Sequence, residues 1–143
     1  MYHDINQVSD TVNDILKNYQ QAAMGTFAAD YPEVTKVTPI VQDDTIYLLL
    51  SDLSTHTRNI QLNNKITLYF AMPHVKRTEM NNKRVTLYGT LEALDTDSKL
   101  SMLTEFDHRD PGASMYGTFD DFRLYRFTEV DRLYIEGFGQ AYR

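Results

Sequence analysis

Between residues 24 and 50 the chain passes through three strand-forming runs separated by only a few turn-forming residues. Residues 24–29 are short and apolar, Asp30-Tyr31-Pro32 is a turn signal, and residues 34–41 alternate apolar positions with Thr and Lys. Gln42-Asp43-Asp44 is a second turn, and residues 45–50 are rich in strand formers. Connections this short join antiparallel neighbours and leave no room for the crossover that a parallel pair requires. The segment is therefore a meander and not a βαβ unit.

The rest of the chain extends this pattern. Further strands are predicted over 66–71, 84–94, 122–128 and 133–138, with Val85, Leu87, Gly89, Leu91 and Ala93 on one face of the longest. Helical spacing of Val8, Val12, Ile15, Leu16 and Tyr19 predicts an N-terminal helix over about 5–23. A short helix is predicted to follow Ser54 or Thr55 and stop at Asn63-Asn64. A third is predicted after Asp95 or Thr96, with Leu100 and Leu103 turned inward. Residues 72–82, with Pro73, and 107–117, with Pro111 and Gly112, read as loops. Six or seven antiparallel strands with three modest helices predict a mainly β fold, and closure into a small barrel removes exposed edges. One domain over 1–143 is expected, its barrel spanning about 24–139.

Composition excludes several function classes. Acidic residues number 20 against 14 basic ones, a formal charge of −6, so no general nucleic-acid binder is expected. The absence of cysteine removes disulfides, thiolate metal sites and thiol nucleophiles. The longest apolar run, over 46–50, falls far short of the about 20 residues of a membrane span. The N-terminus is acidic and polar and does not read as a secretory signal, which points to a cytoplasmic protein with no membrane partner.

Candidate chemistry concentrates in His56-Thr57-Arg58-Asn59, at the start of the predicted short helix. Unpaired amides and a partial positive charge at a helix start favour a phosphate, Thr57 adds a hydroxyl, and Arg58 adds a two-pronged donor. Ser51, at the preceding strand end, would feed the same pocket, although on composition alone ordinary capping of a solvated helix start is the simpler reading of the stretch. Arg84 opens the longest strand, where its side chain would face a ligand, a neighbouring subunit or solvent. The four histidines, at 3, 56, 74 and 108, show no metal-ligand spacing, and no Gly-x-Ser-x-Gly elbow supports hydrolase chemistry. Gly137-Phe138-Gly139 either lets backbone approach a flat ligand closely or simply turns the chain.

The stretch Ser-Asp-Leu-Ser-Thr-His-Thr-Arg-Asn-Ile-Gln-Leu-Asn-Asn-Lys-Ile-Thr-Leu over 51–68 resembles the haem-utilisation (HugZ/HutZ-type) branch of the pyridoxamine-phosphate-oxidase-like FMN-binding split barrels. Thr38-Pro39, Arg-Val-Thr-Leu-Tyr-Gly over 84–89, Phe-Asp-Asp-Phe-Arg-Leu-Tyr-Arg over 119–126 and Gly-Phe-Gly-Gln-Ala over 137–141 carry the same resemblance, in the right order. It implies a six-stranded antiparallel split barrel that forms a homodimer with two pockets at the subunit interface. It also implies FMN held by Thr38, Ser51, His56, Thr57, Arg58 and Asn59, with Arg84, Gly137, Phe138 and Gly139 near the ring and Arg58 as the main phosphate anchor.

In the haem-utilisation branch the ligand is instead haem, a tetrapyrrole, which some members degrade. Haem-binding members use a histidine near the C-terminus, and residues 128–143 contain none, leaving Tyr134 and Tyr142 as substitutes. The substrate-binding C-terminal segment of true pyridoxamine-phosphate oxidases is also missing, so vitamin B6 oxidation is not expected. The leading expectation is an FMN-dependent oxidoreductase of undefined substrate, with no catalytic residue assigned and no metal site. The alternatives are a haem-binding or haem-degrading protein and a non-catalytic flavin or tetrapyrrole carrier.

Overall fold

The computed structural model describes residues 1–18, 21–71 and 83–143; the loop expected over 72–82, with His74, and Tyr19 of the helical stripe lie outside them. Among the described residues there are eight strands: β1 (Ala22–Thr26), β2 (Glu33–Val37), β3 (Ile40–Gln42), β4 (Thr45–Ser51), β5 (Lys65–Ala71), β6 (Arg84–Ala93), β7 (Phe122–Gly137) and β8 (Gln140–Tyr142). They form one antiparallel sheet in the order β2-β1-β5-β6-β7-β4-β3, with β8 added to β7.

The connection between β2 and β3 explains the curl of this sheet. These strands occupy opposite edges, yet only Thr38 and Pro39 separate them in sequence. Three residue steps reach about 10 Å at most, so the sheet must bend until its edges approach. Pro39 has no amide hydrogen to continue a ladder, and the edges meet as a split instead of a closed seam. Residues 34–41, expected as one strand, are thus two strands on opposite edges.

Alternation fills the interior. Met24, Leu48, Leu68, Phe70, Val85, Leu87 and Tyr134 are fully buried, and α1 (Ser9–Asn18) closes one end with Val12, Ile15 and Leu16. The outer face of β3, β4 and β7 is covered by α3 (Thr96–Arg109) and α4 (Ala113–Tyr116) through Ile40, Met102, Phe106, Ala113 and Leu124. Asp95 caps α3, its Oδ1 accepting from the Ser98 amide at 2.7 Å. Lys99, Met102, Leu103 and Phe106 form the buried stripe, while Leu100, expected inward, is 49% exposed because it falls off that spacing.

Three further expectations are corrected. The N-terminal helix ends before Ala22, where the small residues Ala22, Ala23 and Gly25 pair as β1 between β2 and β5. The loop over 107–117 contains α4, which Asp107 organises by accepting from Gly112 N, Ser114 N and Ser114 Oγ at 3.0–3.1 Å. The two last predicted strands are one, β7: its polar stretch Glu129-Val130-Asp131 is a bulge opposite Tyr88 and Gly89, not a turn. The turn at Asp43-Asp44 stands as expected, both residues adopting positive φ between β3 and β4.

Candidate functional site

Where β4 ends, the split and the start of α2 (Thr55–Leu62) face the α3–α4 connection across a cavity of about 210 Å³. Its polar lining is Lys36, Thr38, Ser51, Ser54, His56, Asp110 and Tyr116. Thr38, Ser51 and His56 are therefore brought together, as expected from residues far apart in sequence.

The donor set is mixed. Ser51 Oγ donates its only proton to Asp121 Oδ2 at 2.8 Å and accepts from Leu53 N at 3.1 Å, so it organises the turn after β4. Ser54 is the N-cap of α2 but makes no side-chain cap bond. His56 Nε2 is buried without a hydrogen-bond partner, and burial, opposed by Glu33, pushes the imidazole below its ordinary range. His56 is thus neutral at pH 7 and adds no charge. Tyr116 donates to the Asp110 carboxylate, and burial together with that bond raises the phenol well above its usual value. For a dianionic phosphate the lining offers Lys36, opposed by Asp110. The cavity is also smaller than the roughly 300 Å³ at which ligand pockets commonly begin. It fits a small polar group; a flavin ring would have to lie outside it.

The remaining candidates lie elsewhere. Arg58 is exposed on α2 and outside the lining of this cavity. Thr57 is fully buried beneath α2, its Oγ1 without a hydrogen-bond partner. Asn59 Nδ2 donates to Thr26 Oγ1 and Glu33 Oε2, both at 3.0 Å, tying α2 to β1 and β2. Asn59→Ala is expected to cost about 1–3 kcal/mol of stability, because Thr26 Oγ1 and Glu33 each lose a buried partner. Urea denaturation checks this, and an unchanged midpoint would make the bonds dispensable.

Arg84 pairs with Ile135, and Gly137-Phe138-Gly139 forms the turn into β8, with Gly139 at φ 73° and Phe138 85% exposed. Ser51, by contrast, pairs with Phe122 at the other end of β7. From Phe122 to Ile135 an extended strand runs roughly 40 Å, so one chain does not bring Arg84 and the glycines to Ser51 and His56. Tyr134, a possible iron ligand in the sequence, is fully buried, with Tyr142 packed against it at 5.8 Å between ring centroids.

A larger concavity went unanticipated. On the outer face of β1, β5 and β6 a groove of about 480 Å³ is lined by Gly25, Phe27, Val34, Ile66, Thr67, Tyr88 and Val130, with Lys65 and Glu33 also in its wall. Phe27, Val34 and Val130 are exposed. Its floor is flat at Gly25, where an added Cβ would meet only Thr67, at 3.7 Å. No single segment of sequence signals it, because its walls come from five strands and the β1–β2 connection.

A single antiparallel sheet curled until its edges meet, with helices at one end and along one face, is a split barrel. The family model for the CREG β-barrel matches residues 5–143, and the chain belongs to that family. It is 24% identical over 119 residues to the haem oxygenase HutZ of Vibrio cholerae, covering 78% of this chain and 66% of that protein. A haem-binding protein from Mycobacterium smegmatis has a similar structure, with a TM-score of 0.83 at 18% identity over 94% of this chain and 56% of that one. A putative pyridoxamine 5′-phosphate oxidase from Listeria innocua superposes with a TM-score of 0.69 at 12% identity, covering 91% of this chain and 99% of that one. The fold is therefore the split barrel expected from the resemblance, with eight strands in place of six. No helix among the described residues is long and apolar enough to cross a membrane.

Proposed function

We propose that the protein binds haem in the groove outside β1, β5 and β6, as a haem-handling member of the split-barrel class. The observation that carries this reading is the groove itself: about 480 Å³, apolar on most sides and flat-floored at Gly25. Pockets for planar ligands of this kind are mostly apolar with a few polar groups that fix orientation. Lys65 supplies a cation for a propionate. The haem-oxygenase and haem-binding relatives favour the same ligand over a flavin. Haem brings an iron centre able to react with oxygen; the chain's part is to hold it, to exclude water with Phe27, Val34 and Val130, and to meet its carboxylates.

A second copy of the chain packing on this exposed apolar face would cover it and close the groove. Light scattering is expected to give about twice 16.6 kDa, and a monomer at micromolar concentration would remove the homodimer from this reading.

Titration of the purified protein with hemin tests the ligand. A shifted Soret band saturating at one haem per protomer is expected; a spectrum identical to free hemin throughout would reject the reading. FMN is the second reading, favoured by the start of α2 beside the small cavity, where Ser54 makes no side-chain cap bond. It requires FMN to bind more tightly than riboflavin, which lacks the phosphate. Arg58→Ala should leave that ratio unchanged, since Arg58 lies outside the cavity.

A further inference from the structure

A haem held in this groove needs an axial donor to its iron, and the groove's own wall offers a phenol. Among the described residues that line it there is no histidine, and Tyr88 is the phenol. The three described histidines lie elsewhere. His56 belongs to the small cavity, His108 is on α3 within 4.0 Å of Glu105, and His3 stacks on Tyr142 with ring centroids 5.2 Å apart.

Tyr88 is placed by the bulge in the β6–β7 ladder, which shifts register between Tyr88 and Gly89. Bulges of this kind re-aim a side chain next to a site. Tyr88 pairs across the ladder with Asp131, whose Oδ2 accepts from Arg143 Nε and Nη2 at 2.9 and 2.7 Å. That ion pair sets the Arg143 guanidinium over the Tyr88 ring, 5.4 Å from its centroid, with the Tyr2 ring at 5.7 Å. The arginine is thus anchored by a carboxylate and lies over the Tyr88 ring as a cation–π partner that fixes where the ring sits. Tyr134, by contrast, is sealed in the core and does not line the groove.

The geometry points to Tyr88 as the iron ligand of haem bound in the groove, with Arg143 as the residue that positions its ring, an inference that rests on the haem reading above. On ligation the O–H bond of the phenol breaks, its proton leaves to water, and an oxygen–iron bond forms. The iron stays ferric, so no oxidant or reductant is required. Tyrosinate is an established axial donor to ferric haem, and the ferric iron takes the place of the proton as the partner of the oxygen's charge.

The test uses the full chain loaded with hemin. The wild type is expected to show a phenolate-to-iron charge-transfer band and phenolate modes in resonance Raman spectra. Tyr88→Phe should lose both and bind hemin at least roughly tenfold more weakly, the lower end of what losing even a supporting hydrogen bond costs a metal site. Tyr88→His should regain affinity with a nitrogen-ligated spectrum, which guards against misreading a folding defect. His3→Ala should leave the spectrum unaltered. Phenolate signatures that persist in Tyr88→Phe, or an axial signal that disappears in His3→Ala, would overturn the assignment while leaving haem binding intact. Absence of hemin binding by the wild type would overturn both, so the two failures are distinguishable.

Discussion

Gly89→Ala is expected to cost about 3 kcal/mol of stability or more, at the upper end of what overpacking a tight interior typically costs. A Cβ on Gly89 would sit 2.1 Å from the Thr128 carbonyl oxygen and 2.7 Å from the Phe127 ring. Neither can yield easily: Thr128 is backbone of β7 paired to Thr90, and Phe127 is buried in the barrel core. The strands approach this closely because the bulge places Glu129 opposite Gly89 and Asp131 opposite Tyr88, leaving Val130 as the extra residue. For a domain of this size the melting temperature should fall by roughly 10 °C, with an unchanged denaturant slope if the native state is retained. A loss below about 1 kcal/mol would mean that the β6–β7 ladder can open at no great cost at this point. Since Tyr88 is the neighbouring residue, the same experiment asks whether the groove wall is rigid.

Much of the fold was legible because it rests on local signals. Short polar turns between strand formers required antiparallel pairing, and Asp43-Asp44 and Asp95 announced a hairpin and a helix start through chemistry that acts over a few residues. What failed was any feature decided by distant partners. Glu129-Val130-Asp131 looks like a turn because charged residues usually end strands, but β6 lies alongside and holds the segment in one bulged strand. Residues 34–41 look like one strand, yet the split at Thr38-Pro39 divides them between the two edges of the sheet.

Legibility at the candidate sites divides in the same way. The gathering of Thr38, Ser51 and His56 around one cavity was implied by the family resemblance, whereas their individual duties were not. Ser51 spends its proton on Asp121, 70 positions away, and Asn59 spends its amide on Glu33. Asp110 and Tyr116 enter that cavity from a connection that carried no site signal. The groove was invisible for a simpler reason. Its floor is made by what Gly25 lacks, and its remaining walls are apolar positions that alternation alone would turn either inward or outward.

Gly25→Leu is expected to abolish most hemin binding while leaving the barrel folded. Gly25 stands between Met24 and Thr26, both buried, so its own missing side chain would point away from the core. The only atoms near an added Cβ belong to Thr67, the closest at 3.7 Å, an ordinary contact. Its φ is not in the left-handed region, so the backbone accepts an L side chain. A glycine inside a strand weakens it, and replacement here should hold or raise the melting temperature. The leucine side chain would instead rise from the floor of the groove between Phe27, Val34 and Tyr88. Forcing a planar ligand against it costs about 1–3 kcal/mol, or roughly 5- to 150-fold in affinity, with the upper end expected where the floor is flat. Gly25→Ala should show a smaller loss in the same direction. The contrast with Gly89 is the control: one glycine is required by the packing of two strands, the other by an open surface. Hemin affinity retained in Gly25→Leu, with the melting temperature of the wild type, would move the ligand away from this face of the barrel. Light scattering on the same variant separates a filled groove from a lost subunit contact, since a leucine that only blocks the ligand leaves the mass of the assembly as it was.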